Sequence, residues 1–192
     1  IMTGFFRYLY HVFLSIRHFN YTYITYSLKY TGNKYSIIDR RLDYVRLKML
    51  ELCAAEIHKK GIQGALAEVG VYKGDFAKYI NLIFKDKPLY LFDTFNGFDE
   101  RDVATEKKMQ FGEGKQNFSD TSVRIVLNKM KYPGQCIVKA GFFPDSAKDL
   151  DVEFCFVSID TDLYTPIKEG LNYFYNRLIP GGYIFVHDFN NE

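Results

Sequence analysis

Four short stretches concentrate residues able to hold a small ligand. The first, Glu68-Val-Gly70-Val-Tyr72-Lys-Gly74-Asp75, sets an acidic residue two positions before one glycine and a second glycine four positions after it. Gly70 permits a tight turn that brings main-chain amides close to a ligand, and Gly74 permits close approach where the next segment starts. The spacing is not Gly-x-Gly-x-x-Gly, which argues against a pyrophosphate cradle, and Glu68 suits a cationic amino group better than a phosphate. A glycine-rich turn that binds nothing is the plain alternative. In the second stretch, Leu89-Tyr-Leu-Phe-Asp93-Thr-Phe-Asn-Gly-Phe98, Asp93 lies 23 positions beyond Gly70. A carboxylate there can accept both hydroxyls of a ribose; the plain alternative is an Asp capping a helix. Together the two stretches point to a nucleoside cofactor that is not a dinucleotide. The remaining two are Ser158-Ile-Asp160-Thr-Asp162-Leu-Tyr164 and His187-Asp188-Phe-Asn190-Asn191. Oxygen ligands so grouped suit Mg²⁺ or another hard cation. Asp162 is expected to cap the following helix, whereas Asp160 and Asp188 are read as functional.

Each of these stretches follows a short apolar run. Ala65–Val69, Leu89–Phe92, Cys136–Val138, Phe154–Ile159 and Tyr183–Val186 read as strands, with helical patterns over 74–85, 120–131 and 164–178 between them. Such alternation implies an α/β fold with a parallel sheet and helices on both faces. Right-handed crossovers leave few topologies, and the order 3-2-1-4-5 is expected. Ligands then bind beyond the carboxyl ends of the strands, where all four stretches fall. Residues 99–119, polar, Gly-containing and weakly periodic, read as an insertion of the kind that sets substrate specificity. Residues 40–60 read as a helix stopped by Gly61, with Leu42, Val45, Met49, Leu52 and Ala55 recurring every three to four positions. No internal repeat is present.

The first forty residues differ from the rest. Residues 1–50 hold eight Lys/Arg and two Asp/Glu, a net +6, against −4 for the remainder, and residues 4–30 hold ten aromatics. Residues 1–40 are therefore read as a basic, aromatic extension with near-helical spacing, in which Asn20–Tyr26 could equally be extended, serving as a dimer contact or lid. Residues 41–192 form the ligand-binding domain. The whole-chain charge of +2 argues against nucleic acid as the main partner. Three scattered cysteines without CxxC spacing argue against a disulfide framework or zinc site and for a reducing cytoplasm. Tyr8–Ile16, flanked by Arg7 and Arg17, is too short to span a bilayer and lacks a signal-peptide cleavage site.

The stretches Ala67–Asp75, Leu89–Phe98, Gly141–Ser146, Asp160–Pro166 and Pro180–Asp188 closely resemble the macrocin O-methyltransferase (TylF/MycF) family, in family order over residues 40–192. The resemblance implies a Rossmann-like class I methyltransferase sheet, S-adenosylmethionine as cofactor, Mg²⁺, and methyl transfer to a sugar hydroxyl. It implies that Glu68, Gly70, Tyr72 and Gly74 line the methionine end of the cofactor and that Asp93 holds the ribose. Thr94 and Phe95 would sit beside ribose and adenine, Ser122, Gly141 and Phe142 would border the adenine, and Asp160 would be the catalytic carboxylate. Asp160 and Asp188 would hold the metal. Two departures stand out. The family has adjacent carboxylates where this chain has His187-Asp188, and imidazole is a ligand Mg²⁺ rarely takes. The family also continues beyond Asp188 through further strands, so the chain reads as C-terminally incomplete. The expected acceptor is a sugar-like small molecule and the expected assembly a homo-oligomer. A catechol-like phenol acceptor, or a non-catalytic scaffold that uses the basic arm, are the alternatives.

Overall fold

Two four-residue strands, β1 (Thr22–Thr25) and β2 (Ser36–Asp39), pair antiparallel, with Thr22 opposite Asp39 and Thr25 opposite Ser36. The extended reading of Asn20–Tyr26 is met at β1. The protein, described here as a computed structural model over residues 22–25, 36–39 and 44–187, divides into the units Ile1–Glu56 and Ile57–Glu192. Helix α1 (Tyr44–Lys59) ends just before Gly61, whose φ is +62°. Its buried stripe is Leu47, Leu50, Ala54 and Ile57, while Val45, Met49 and Leu52 are exposed. The periodicity therefore marks a helix correctly, but the residues that reveal it are not those it buries.

In the second unit the strands are β3 (Ala65–Val69), β4 (Leu89–Asp93), β5 (Cys136–Ala140), β6 (Phe154–Ile159) and β7 (Leu178–Val186). They form one sheet in the order β5-β4-β3-β6-β7, every pairing parallel. Numbered within the sheet this is the expected 3-2-1-4-5. Every residue of β3 and β6 is buried, which is why both read as unbroken apolar runs: a central parallel strand is covered on both faces. Among the described residues β7 bonds to β6 alone, leaving an edge.

Helices α2 (Ala77–Ile83), α3 (Glu100–Met109), α4 (Val123–Lys129) and α5 (Tyr164–Tyr175) connect the strands. Helix α3 lies within the insertion read over residues 99–119 and was not foreseen there. It is charged nearly throughout, so hydrophobic periodicity misses it. Its local signals are there nonetheless: Asp99 caps it by accepting the Arg101 N–H, acidic Glu100 and Asp102 stand in its first turn, and Lys107 and Lys108 in its last.

Small Ala65 and Ala67 on β3 leave room for an aromatic core of Phe92, Phe143, Phe154 and Phe174. Phe143 stacks on Phe174 at 5.8 Å, and Phe154 meets Phe174 edge-on at 5.0 Å. Each buried ring contributes roughly 1.5–3 kcal/mol. The other face is locked by Asn81 on α2, 1% exposed, whose amide donates to Tyr132 O (2.9 Å) and accepts the Tyr132 N–H (2.7 Å). Asn81→Ala orphans the Tyr132 N–H, while the Tyr132 carbonyl keeps the Gln135 N–H (3.0 Å), and is expected to lower stability by about 1–3 kcal/mol. Urea unfolding is the measurement, and a midpoint unchanged from the parent would refute the assignment.

Candidate functional site: the rim of the parallel sheet

Backbone bonds carry the ladder one residue past the strands. The Gly141 N–H donates to Asp93 O (2.9 Å), the Gly70 N–H to Phe92 O (2.9 Å), the Asp160 N–H to Val69 O (2.8 Å) and the His187 N–H to Ile159 O (2.9 Å). Gly141, Asp93, Gly70, Asp160 and His187 thus stand side by side at the carboxyl ends of the five strands, where open α/β sheets bind ligands. Gly70 is the tightest point. Its φ is +81°, and a Cβ there would lie 1.8 Å from Asp160 O.

Asp93 does not cap a helix. Its Oδ2 accepts the Tyr72 N–H and its Oδ1 the Phe95 N–H, both at 2.7 Å. Tyr72 and Phe95 have φ of 48° and 53°, a left-handed conformation costing roughly 1–2 kcal/mol for a residue with a Cβ. Bonds to a carboxylate, worth about 1.5–3 kcal/mol each, offset that cost. One side chain therefore shapes both the glycine turn and the loop after β4. A carboxylate has about four acceptor sites, so Asp93 keeps capacity for a ligand.

The turn is also gripped from the far end of the insertion. The Tyr72 hydroxyl bonds Asp120 (2.6 Å), Lys73 pairs with Asp120, and the Thr121 hydroxyl donates to Tyr72 O. The Asp120 bond pushes the Lys73 ammonium up to about 12. Phe118 packs edge-on against Tyr72 (5.0 Å) and Phe98 (5.1 Å). Phe118, Asp120 and Thr121 escaped the sequence reading, which named only their neighbour Ser122, through the family resemblance. Ser122 itself caps α4, accepting the Ile125 N–H at 3.2 Å. The Thr94 hydroxyl donates to Gly97 O.

On the β5 side, a Cβ at Gly141 would meet open space, and the Arg101 guanidinium lies 3.5 Å over the Phe142 ring. Arg101 grips Asp99 through two bonds (2.8 and 2.9 Å) and reaches Asp145 (3.2 Å), which holds the Asp99 carboxyl below its ordinary range. On the β6 side, Asp160 Oδ1 lies 3.1 Å from His187 Nδ1, and Glu68 is buried at 1% exposure two residues before Gly70. Asp188 lies outside the described residues. Among those described, no three His, Cys, Asp or Glu side chains gather as a metal site. The Asp162 expectation shifts as well. The capping position of α5 is Leu163, whose side chain accepts nothing, and the Tyr164 N–H bonds Glu106 of α3 instead (3.1 Å).

Asp102 and Glu106, one turn apart on α3, are both buried. Burial pushes Asp102 up to about 6 from 3.8, with repulsion from Asp99 and Glu106 adding and Arg101 opposing. The folded protein thus holds this proton more tightly than the unfolded chain. Its contribution to stability is complete below about pH 4 and is lost as pH rises through about 6. Asp102→Asn, neutral at every pH, is expected to be about 1–3 kcal/mol more stable than the parent at pH 7, the gain vanishing near pH 4. Thermal melts across that range test this; a difference independent of pH would sink it. The three cysteines are free. Burial pushes Cys136 up to about 11 and raises Cys53 and Cys155, so none offers a thiolate near neutrality.

A parallel sheet in this order, with a glycine turn after its first strand and an acidic residue ending its second, defines a Rossmann-like domain. The profile of the macrocin-O-methyltransferase (TylF) family matches residues 32–192, and the chain belongs to that family. It is 22% identical, over 75% of its length, to the 8-demethyl-8-(2,3-dimethoxy-alpha-L-rhamnosyl)-tetracenomycin-C 4'-O-methyltransferase of Streptomyces olivaceus. It is 23% identical, again over 75%, to the mycinamicin III 3''-O-methyltransferase of Micromonospora griseorubida. The matches cover 60% and 62% of those relatives, so the chain spans under two thirds of their length. In fold it is similar to the O-methyltransferase NovP, with TM-score 0.64 and 22% identity over 74% of this chain and 64% of NovP. The calicheamicin methyltransferase CalS11 follows with TM-score 0.59 and 17% identity, over 78% of this chain and 67% of CalS11. No helix among the described residues is long and apolar enough to cross a membrane.

Proposed function

We propose that the protein transfers a methyl group from S-adenosylmethionine to a hydroxyl of a sugar or glycosylated metabolite. The observation that carries this is Asp93, which shapes two loops through its backbone bonds and keeps acceptor capacity at the rim. The fit of the cofactor is further supported by the open space at Gly141. In this reading Asp93 holds the ribose hydroxyls and buried Glu68 faces the amino group, with Gly70, Tyr72 and Gly74 around it. Thr94, Phe95, Ser122, Gly141 and Phe142 flank the nucleoside. The family membership and the glycosylated substrate in the name of the tetracenomycin relative support the acceptor class.

When bound, the cofactor supplies an electrophilic methyl on a sulfonium. Asp160 accepts the proton of the attacking hydroxyl, help typically worth ~10²–10⁴ in rate, with the His187 ring 3.1 Å from it. The rim aligns acceptor and cofactor, which matters as much as the base because displacement is in-line. Mg²⁺ takes six oxygens, several of them water, and disfavours imidazole, so beside His187 only Asp160 offers it a carboxylate among the described residues of this pair.

Transfer of labelled methyl to methyl α-L-rhamnopyranoside, with catechol as the competing acceptor, tests the proposal in full-length protein. Label on the sugar is the expected result; label on catechol, or on neither, overturns it. The same assay after EDTA, with Mg²⁺ added back, decides the ion: an unchanged rate leaves Asp160 as base, while loss and recovery would assign Asp160 and Asp188 as ligands.

A further inference from the structure

Two large aromatic side chains stand exposed beside the rim, Phe111 (55%) and Tyr164 (44%), their ring centroids 5.0 Å apart and tilted by 51°. A single exposed apolar residue needs no explanation, but exposed rings held in fixed contact mark a binding surface. Here the fixing is specific. Gln110 ends α3 in the left-handed conformation (φ 60°), and the Phe111 N–H bonds back to Glu106 O (3.2 Å). The buried Glu106 carboxylate accepts the Tyr164 N–H. Glu106 thus holds the backbone on both sides, at Phe111 through its carbonyl and at Tyr164 through its side chain. Tyr164 follows Asp160 by four residues through a tight turn in which the Leu163 N–H bonds Thr161 O (2.7 Å). The Lys168 ammonium lies over the Tyr164 ring, 5.8 Å from its centroid.

We propose that Phe111 and Tyr164 form the acceptor platform: a pyranose ring rests its C–H face on them and turns its hydroxyl edge toward Lys168. The inference rests on the reading of the protein as a sugar O-methyltransferase. The surface suits an amphipathic ring better than a flat phenol. Tilted rings form no parallel slot, and the Lys168 ammonium beside Tyr164 offers donors to several hydroxyls.

The chain contains no Trp, so Tyr164→Trp introduces one fluorophore into the platform while keeping an aromatic face. With S-adenosylhomocysteine saturating, titration with methyl α-L-rhamnopyranoside is expected to change its emission saturably. Adding Phe111→Ala should weaken the sugar about fivefold, in keeping with the worth of an aromatic contact, with S-adenosylhomocysteine affinity and melting temperature unchanged. An emission blind to the sugar, a sugar affinity indifferent to Phe111→Ala, or a response to catechol alone would overturn the platform. Failure to bind S-adenosylhomocysteine would instead overturn the methyltransferase reading beneath it.

Discussion

Gly70→Ala is expected to abolish cofactor binding and to cost about 3–5 kcal/mol of stability, a fall in melting temperature of about 10 °C for a chain of this size. The added methyl would lie 1.8 Å from the Asp160 carbonyl oxygen and 2.6 Å from its carbonyl carbon. These are backbone atoms held by the β3–β6 pairing, so no side-chain rotation can relieve the clash. Either the two central strands part at their ends or the turn flips out of its +81° conformation. Both outcomes move Asp160 and release the Tyr72 N–H from Asp93. Gly141→Ala is the control: its φ of +126° brings strain, but its Cβ meets nothing within 4 Å. In stability it should lose only the strain energy, about 1–3 kcal/mol. Thermal unfolding separates the two variants, and a Gly70→Ala protein that melts like the parent and binds S-adenosylhomocysteine as tightly in calorimetry would refute this reading of the rim.

Asp93→Ala is expected to weaken S-adenosylhomocysteine by about 10²–10³-fold, or about 3–4 kcal/mol. Loss of a charged bond to the ribose accounts for about 1.5–3 kcal/mol. The rest follows from the two backbone bonds, because without them the left-handed Tyr72 and Phe95 lose what holds them and the binding loops must be ordered by the ligand. Asp93→Asn retains an acceptor oxygen but not the charge, and should lose about tenfold. Calorimetry that gives the Ala and Asn variants equal affinity would remove the loop-shaping role. NAD binding more tightly than S-adenosylhomocysteine to the parent would remove the nucleoside assignment altogether.

Much of this was legible in the residues alone. Central parallel strands are covered on both faces, so β3 and β6 appear as unbroken apolar runs, and the strand–helix rhythm then leaves few topologies. Since such sheets bind ligands beyond their strand ends, Gly70, Asp93 and Asp160 could be singled out before any of them was seen to share a rim, whereas Gly141 came from the family resemblance. Helix α3 is different. Its cap and its charge gradient were present in the sequence, but a helix that buries two carboxylates, Asp102 and Glu106, shows no apolar stripe from which to recognise it.

Three further features were decided by tertiary structure alone. They are the use of the Asp93 carboxylate by the backbone of Tyr72, 21 residues away; the bond from Tyr164 to Glu106, 58 residues away; and the meeting of Asp160 with His187. Local spacing encodes periodicity, caps and turns, because those are contacts between near neighbours. A pair brought together by the closing of a parallel sheet leaves no period in the chain, and its chemistry exists only once β3, β4, β6 and β7 lie side by side.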